Sequence, residues 1–346
     1  MIQADQAMLE RAMHPDLRIG RGLLGPALAA IDGRIALLSQ PEPYARLDPS
    51  IRGRAAITIM VESLDADYLE ALAGEVLGVD RIVGIGGGMV VDAAKYLAWR
   101  SGLPLLLAPS IVSVDAVVTN TIAVRRGGSV VYEGFVVADA IVADLELIAV
   151  APVRLNRAGV GDLLSIHTGL FDWRMGAAAG RIAFDDEIAQ RAGAVLERLY
   201  GLAADIHAVT DEALETILRG YVEVNELCLR AGHSGPEEGS EHYLAYHLEA
   251  GAGRSFIHGE LIGLGAVLMA RLQENDPEVV VTFLDTCGVA WRPADQGIDQ
   301  EVLRAALGEL PAFVREAGLP YSIIDEADLG SHAVGRLLDA TPLGGS

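Results

Sequence analysis

Lysine is almost missing from this chain. Lys95 is the only one among 26 lysines and arginines. A chain that uses arginine wherever a generic cation serves draws attention to position 95. Basic charge is scarce as a whole: 48 acidic residues leave a formal net charge of −22. No basic surplus exists to displace counterions from phosphates, which argues against nucleic acid as a partner. Long apolar runs are also lacking. None reaches the roughly 18 residues that a membrane span needs, and a segment such as LPLLLAP (103–109) is strand-sized. The two cysteines, Cys228 and Cys287, are too few for a disulfide framework or a cysteine-rich metal site. The first residues show no basic start followed by an apolar stretch, so no signal peptide is expected and the cytosol is the expected location.

Just over half of the 346 residues are apolar, enough for about two domains of roughly 100–200 residues each. The first half alternates. RIALLSQ (34–40), AAITIMV (55–61), RIVGIGG (81–87) and PLLLAPS (104–110) are short apolar runs bounded by turn residues and read as buried strands. Helical spacing fills the gaps, in 66–77 and in 89–102, the latter ending on glycine. Further strand-like segments lie within 128–148. Strands alternating with helices predict a parallel sheet covered on both faces. Past about residue 150 the pattern turns helical, over 186–206, 211–230, 240–250, 259–273 and 301–317. The expectation is an α/β domain over 1–150 and an all-α domain over 151–340, with a disordered tail TPLGGS.

GIGGGMVVDAAK (84–95) sits where a strand ends and a helix begins. Three consecutive glycines let the backbone pass close to a ligand, and the helix N-terminus offers free N–H groups to a pyrophosphate. The spacing is not G-x-G-x-x-G, so the dinucleotide fingerprint fails as a literal match. A tight turn that needs positive φ explains the glycines equally well. Asp92 and Lys95 lie three apart on one helix face, as an ion pair or as a device that orients the loop.

SEHYLAYHLEAGAGRSFIHGE (240–260) holds three of the eight histidines. On a helix His242 and Tyr246 share a face, whereas His247 falls about 140° around from His242. His242 and His247 are therefore not expected on one ion. A helix, a turn through Gly251 and Gly253 and a second helix can bring His258 to His242. Two imidazoles suit zinc or ferrous iron, and a carboxylate completes a three-ligand site with one position open. Asp162 in AGVGDLLS (158–165) is the best carboxylate; an N-cap aspartate is the plain alternative.

Taken in order, GGGMVVDAAK (86–95), APSIVSVDAVVTNTIAV (108–124), APVRLNRAGVGDLLS (151–165), GSEHYLAYHLEA (239–250) and FIHGELIGLG (256–265) resemble one superfamily. It comprises the iron-containing alcohol dehydrogenases, glycerol dehydrogenases, glycerol-1-phosphate dehydrogenases and dehydroquinate synthases, and the likeness is greatest to the glycerol-1-phosphate branch. The resemblance implies a Rossmann-like N-terminal domain and an all-helical C-terminal domain, the dehydroquinate synthase-like fold, with the active site in the cleft between them. It implies that Gly86, Gly87 and Gly88 hold the pyrophosphate of NAD or NADP, with Asp92 and Lys95 in the same motif and Ser110 and Thr119 beside it. It places Asp115 near nicotinamide and substrate. It assigns Asp162, His242 and His258 to zinc or iron. Members often carry a second histidine four residues after the first histidine ligand; Tyr246 stands there and His247 is displaced by one, so either is a candidate for proton relay.

The implied activity is a metal-dependent, NAD(P)-linked dehydrogenase that moves a hydride between nicotinamide and a small polyol or polyol phosphate, in a homo-oligomer. Val114-Asp115-Ala116 departs from the His-Asp-Gly usual in the glycerol-1-phosphate branch. No acid stands at the end of the strand 34–40 until Glu42, so NAD and NADP both remain open. Glu237 and Glu238, just ahead of His242, are expected either in a solvated loop or as acids that repel an anionic substrate. Arg125, Arg126, Arg154 and Arg254 are the candidate anion binders. Two other readings stand beside this one: a sugar-phosphate cyclase, which generally needs a first-ligand glutamate and several lysines, and a catalytically silent nucleotide-binding relative.

Overall fold

The computed structural model describes residues 6–127 and 129–344. The chain divides into two compact units, one ending at Asn156 and the other beginning at Arg157.

The first unit is Rossmann-like. Six strands form one parallel sheet: β1 (Leu17–Gly20), β2 (Ile35–Ser39), β3 (Ala55–Met60), β4 (Arg81–Gly86), β5 (Leu105–Pro109) and, after the antiparallel hairpin β6 (Ile122–Arg126) and β7 (Ser129–Glu133), β8 (Ala140–Asp144). Their order across the sheet is β1-β8-β5-β4-β2-β3. β2, β5 and β8 are buried throughout and β4 nearly so, as continuous apolar runs in a doubly covered parallel sheet should be; the edge strands β1 and β3 are partly exposed. One face packs Leu24, Leu28, Leu37, Val83, Ile85 and Val142 into a common core. The chain runs from β2 outward to β3 and returns to β4 on the other side of β2. The strand order therefore reverses between β2 and β4, and the ends of these strands open the crevice where such sheets take ligands. The Ser39 hydroxyl closes the base of that crevice by donating to the Ile85 carbonyl at 2.7 Å.

The second unit is helical. Its main helices are Ile166–Ala178, Asp186–Tyr200, Asp211–Ala231, Ser240–Ala252, His258–Leu272, Pro277–Cys287, Gln300–Ala317 and Ser331–Asp339. His258–Leu272 is the central one, buried from Gly259 through Ala270. It carries apolar residues all round, as a helix enclosed by others must.

Departures from the expected elements have local causes. The helix expected over 66–77 ends at Ala73, where Gly74 caps it. The one expected over 186–206 breaks at Gly201 into Asp186–Tyr200 and Ala203–Ala208. Pro277 at a first helical turn starts a helix outside the expected set. The tail expected to be disordered is held through its first residues: Thr341 donates to the Leu337 carbonyl and Arg292 reaches the Pro342 carbonyl. Residues 345–346 of that tail lie outside the described residues. Among the described residues no helix is long and apolar enough to cross a membrane.

Candidate metal centre

In the first unit the glycine turn follows β4 directly. Gly87 is the N-cap of the helix Gly88–Ser101 and no side chain caps that end. Its φ is −83°, and neither Gly86 nor Gly88 has a positive φ, which overturns the positive-φ explanation of these glycines. Space is the reason instead. A Cβ on Gly86 would lie 2.5 Å from the Val90 side chain, one on Gly87 2.7 Å from Ile111, and one on Gly88 3.0 Å from Val114. The helix and the segment after β5 thus press on the turn.

Lys95 and Asp92 do something other than touch a phosphate directly. Lys95 is 1% exposed. Its ammonium donates to Asp92 Oδ1, Thr119 Oγ1 and the Thr121 carbonyl, each at 3.2 Å, which uses all three protons on protein acceptors. Burial pushes the Asp92 carboxyl above the usual range, against the pull of Lys95 and of the Ala123 N–H. The pair staples the helix to the segment carrying Asp115 and Thr119, so any role in cofactor binding is one of positioning. Asp115 opens a short 3-10 turn whose carbonyl accepts from the Val118 and Thr119 N–H groups. Ser110 is buried, with its N–H on the Gly86 carbonyl at 2.9 Å.

In the second unit Asp162, His242 and His258 converge. Each offers one ligand atom, and these atoms all lie within 4.8 Å of one another. Asp162 Oδ1 is 3.2 Å from His258 Nε2. A tetrahedral shell with roughly 2.0–2.1 Å bonds has edges of about 3.4 Å, so the spacing suits one small divalent ion. The donor set of two imidazoles and one carboxylate fits zinc or ferrous iron and leaves a position for substrate. Asp162 is not an N-cap: it stands inside the short helix Gly161–Leu164, with Val160 at the cap.

Backbone crowding makes this convergence possible. A Cβ on Gly259 would lie 1.7 Å from the Ala158 carbonyl oxygen, and one on Gly161 2.3 Å from the Gly259 Cα. Only a glycine pair lets the segment bearing Asp162 touch the helix start bearing His258. On the other flank a Cβ on Gly265 would meet the Glu241 carbonyl at 2.6 Å, which brings the helix of His242 equally near.

His247 does not join this group, a correction to its candidacy as a proton relay. Its Nε2 lies 3.5 Å from Glu309 and its ring packs on Phe313 at 4.7 Å, both on the helix Gln300–Ala317. The helix between His242 and His247 is regular, so five residues turn the side chain away. Tyr246 stays on the metal side, its ring centroid 6.0 Å from that of His242. The solvated loop expected at Glu237 and Glu238 holds for neither: Glu237 is buried and Glu238 half-buried. Arg254 stacks on Phe256 at 4.1 Å and donates to the Gln296 and Gly297 carbonyls. Arg126 pairs with Glu133.

Burial works against charge on His242, but the hydrogen bond to Glu241 and the charges of Glu238, Glu241 and Asp162 outweigh it and push its pKa up to about 9. His258 moves the same way, burial again opposing and Asp162 prevailing. Sequence reasoning missed Glu241, Ser165 and Thr168. The last two follow Asp162 at intervals of three and were open to a spacing argument.

The chain is similar to several known proteins. Residues 46–152 match the family model of iron-containing alcohol dehydrogenases. Glycerol-1-phosphate dehydrogenase [NAD(P)+] of Hyperthermus butylicus is 30% identical over 277 residues, covering 80% of this chain and 78% of the relative. The enzyme of the same name from Thermoplasma acidophilum is 26% identical over the same shares of both chains. A probable glycerol dehydrogenase from Sinorhizobium meliloti superposes with a TM-score of 0.71 at 21% identity, over 94% of this chain and 95% of that one, a likeness that concerns the fold alone. The chain belongs to the iron-containing alcohol dehydrogenase superfamily, in its glycerol-1-phosphate dehydrogenase branch.

Two outcomes follow from the packing and the charges. Gly259→Ala must force two backbones apart and is expected to cost about 1–3 kcal/mol or more and to weaken metal binding. Gly251→Ala, with open space around the added methyl, should leave both intact. Urea unfolding and metal titration of the two variants check this. The second outcome concerns pH. A histidine whose pKa is higher folded than unfolded, where it is about 6.5, stabilises fully below that value and less as pH rises through its folded pKa. Metal-stripped protein should therefore lose thermal stability as pH climbs from about 6.5 through about 9. Zinc-loaded protein, with a cation in place of the protons, should lose less. Parallel melting curves with and without chelator test it; identical pH profiles would contradict it.

Proposed function

We propose that the protein is a metal-dependent, NAD(P)-linked dehydrogenase that interconverts the secondary alcohol of a polyol phosphate and the corresponding ketone. The observation that carries this reading is the convergence of Asp162, His242 and His258 within 4.8 Å, in a chain of this family. Its relatives named glycerol-1-phosphate dehydrogenase point to glycerol 1-phosphate and dihydroxyacetone phosphate as the first pair to try.

A divalent cation held by these three residues would draw density from the substrate oxygen and lower the alcohol's pKa, and a bound nicotinamide would take up the hydride. The protein's own residues supply the rest. Gly86, Gly87 and Gly88 let a pyrophosphate approach a helix N-terminus. Ser110 and Thr119 border the same end of the sheet, and the Lys95–Asp92 staple holds the turn of Asp115 in place. Tyr246, on the face of His242, is assigned to pass on the hydroxyl proton. The overall step balances as alcohol plus NAD(P)+ giving ketone, NAD(P)H and one proton.

The single lysine bears on the cyclase alternative. It is buried against Asp92, Thr119 and Thr121, which leaves no lysine to surround a ring and its phosphate.

The test follows nicotinamide absorbance in zinc- and iron-loaded protein with dihydroxyacetone phosphate, dihydroxyacetone and small carbonyl compounds. Metal-dependent oxidation of NADH or NADPH is expected, fastest with the phosphorylated ketone. Asp162→Ala, His242→Ala and His258→Ala should each lose activity and at least about 100-fold in metal affinity, since even an outer partner of a ligand is worth 10–100-fold. His247→Ala should bind metal as the wild type does. Full metal occupancy in His242→Ala would refute the assignment.

A further inference from the structure

Glu241 is the most deeply buried acid beside the metal centre, at 0% exposure, and nothing in the proposed mechanism uses it. Each group within hydrogen-bond distance of its carboxyl oxygens is able to donate. Its Oε1 accepts from the Gly239 N–H at 2.6 Å and stands 2.8 Å from His242 Nδ1. Its Oε2 accepts from the Thr168 hydroxyl at 2.6 Å. The Thr168 hydroxyl also lies 3.2 Å from the Ser165 carbonyl, but it has one proton and the carboxylate is nearer. A carboxylate surrounded by donors has no proton to give, so His242 Nδ1 must carry the proton between them. In the neutral ring that takes a cation, the lone pair of His242 is then on Nε2.

The surroundings hold this arrangement rigidly. Asp172, also buried, accepts the Ser240 N–H at 2.8 Å through one oxygen and the Ile323 N–H at 2.8 Å through the other. Gly239 has no room for a side chain: a Cβ would lie 2.7 Å from Asp172 Oδ2 and 2.9 Å from the Gly169 Cα. The first turn of the helix Ser240–Ala252 is thus clamped by two carboxylates. The Ser165 hydroxyl donates to the Asp162 carbonyl at 2.7 Å. Asp162, Ser165 and Thr168 therefore form one strip that runs from a metal-facing carboxylate to the carboxylate behind His242.

We infer that Glu241 is a positioning residue for the metal centre, the outer carboxylate that fixes the tautomer and ring orientation of His242, with Thr168 steadying its second oxygen. Outer carboxylates of this kind orient a ligating histidine and raise its basicity. The inference rests on the metal reading proposed above.

The test uses the whole 346-residue chain, stripped and reloaded with cobalt(II) or zinc in competition with a chromophoric chelator. Glu241→Gln keeps the shape and an acceptor for the Gly239 N–H but removes the charge. It should bind metal about 10–100-fold more weakly than wild type, with shifted visible bands in the cobalt form. A merely structural Glu241 would instead lower the melting temperature of the stripped variant and leave affinity and cobalt spectrum at wild-type values; that result overturns the inference. Thr168→Val leaves the carboxylate and its bond to His242 and removes one donor. It should weaken binding by about tenfold or less, and it carries the test if Glu241→Gln does not fold; wild-type affinity and spectrum in Thr168→Val would then overturn it. His258→Ala separates the two levels. If wild type binds no cation, or His258→Ala binds as tightly as wild type, the metal reading itself falls. If His258→Ala loses the cation while Glu241→Gln keeps it unchanged, only the role of Glu241 falls.

Discussion

The second unit depends on one steric fact: two backbones meet where no side chain fits. Gly259 stands so near the Ala158 carbonyl that a methyl group would sit 1.7 Å from it. That contact sets the start of the central helix against the short helix of Asp162. His258 is the first residue of the one and Asp162 the second of the other. Gly265 repeats the device about one and two-thirds turns on, against the helix of His242. The glycines thus act at a distance from any ligand. They bring three helix starts within the reach of short side chains, and the ligand set follows from the packing.

Close packing alone would leave an unstable concentration of charge. Asp162, Glu238, Glu241 and Asp172 surround two histidines in a space mostly shut off from water. Each buried carboxylate needs donors to offset its lost hydration. Backbone N–H groups at Gly239, Ser240 and Ile323 provide some of them, and Thr168 another. The imidazoles provide the rest, as imidazolium or as ligands of a cation. Burial raises the Asp172 carboxyl to about 6 despite its two N–H partners, a sign of how little solvent reaches this region. An acid-rich pocket of this sort favours a divalent cation. The first unit solves the same problem with a protein cation: Lys95 neutralises Asp92 within the fold.

Much of the frame was legible in the sequence. β2, β4 and β5 are continuous apolar runs and stand where RIALLSQ, RIVGIGG and PLLLAPS do. Gly102 ends its helix in the left-handed conformation that a closing glycine announces. His242 and His258 were pairable because a turn containing Gly253 separates two periodic segments, and the 140° offset already set His247 aside as a ligand. What was hidden depends on tertiary contact. β1 is four residues with an arginine among them, too short for a pattern. An acid in the first turn of a helix, as Glu241 is, reads as an ordinary response to the helix dipole; its partner Thr168 lies 73 residues away. The glycines at 86–88 invited an explanation by backbone angle, and only their neighbours show that the reason is room.

The most direct measurement is anomalous diffraction at the zinc and iron edges from crystals of the metal-loaded protein. The account predicts one strong peak bonded to the carboxylate of Asp162 and to imidazole nitrogens of His242 and His258, with Nδ1 of His242 still on Glu241. A peak elsewhere, or none at these three residues in protein that retains its metal, would contradict it.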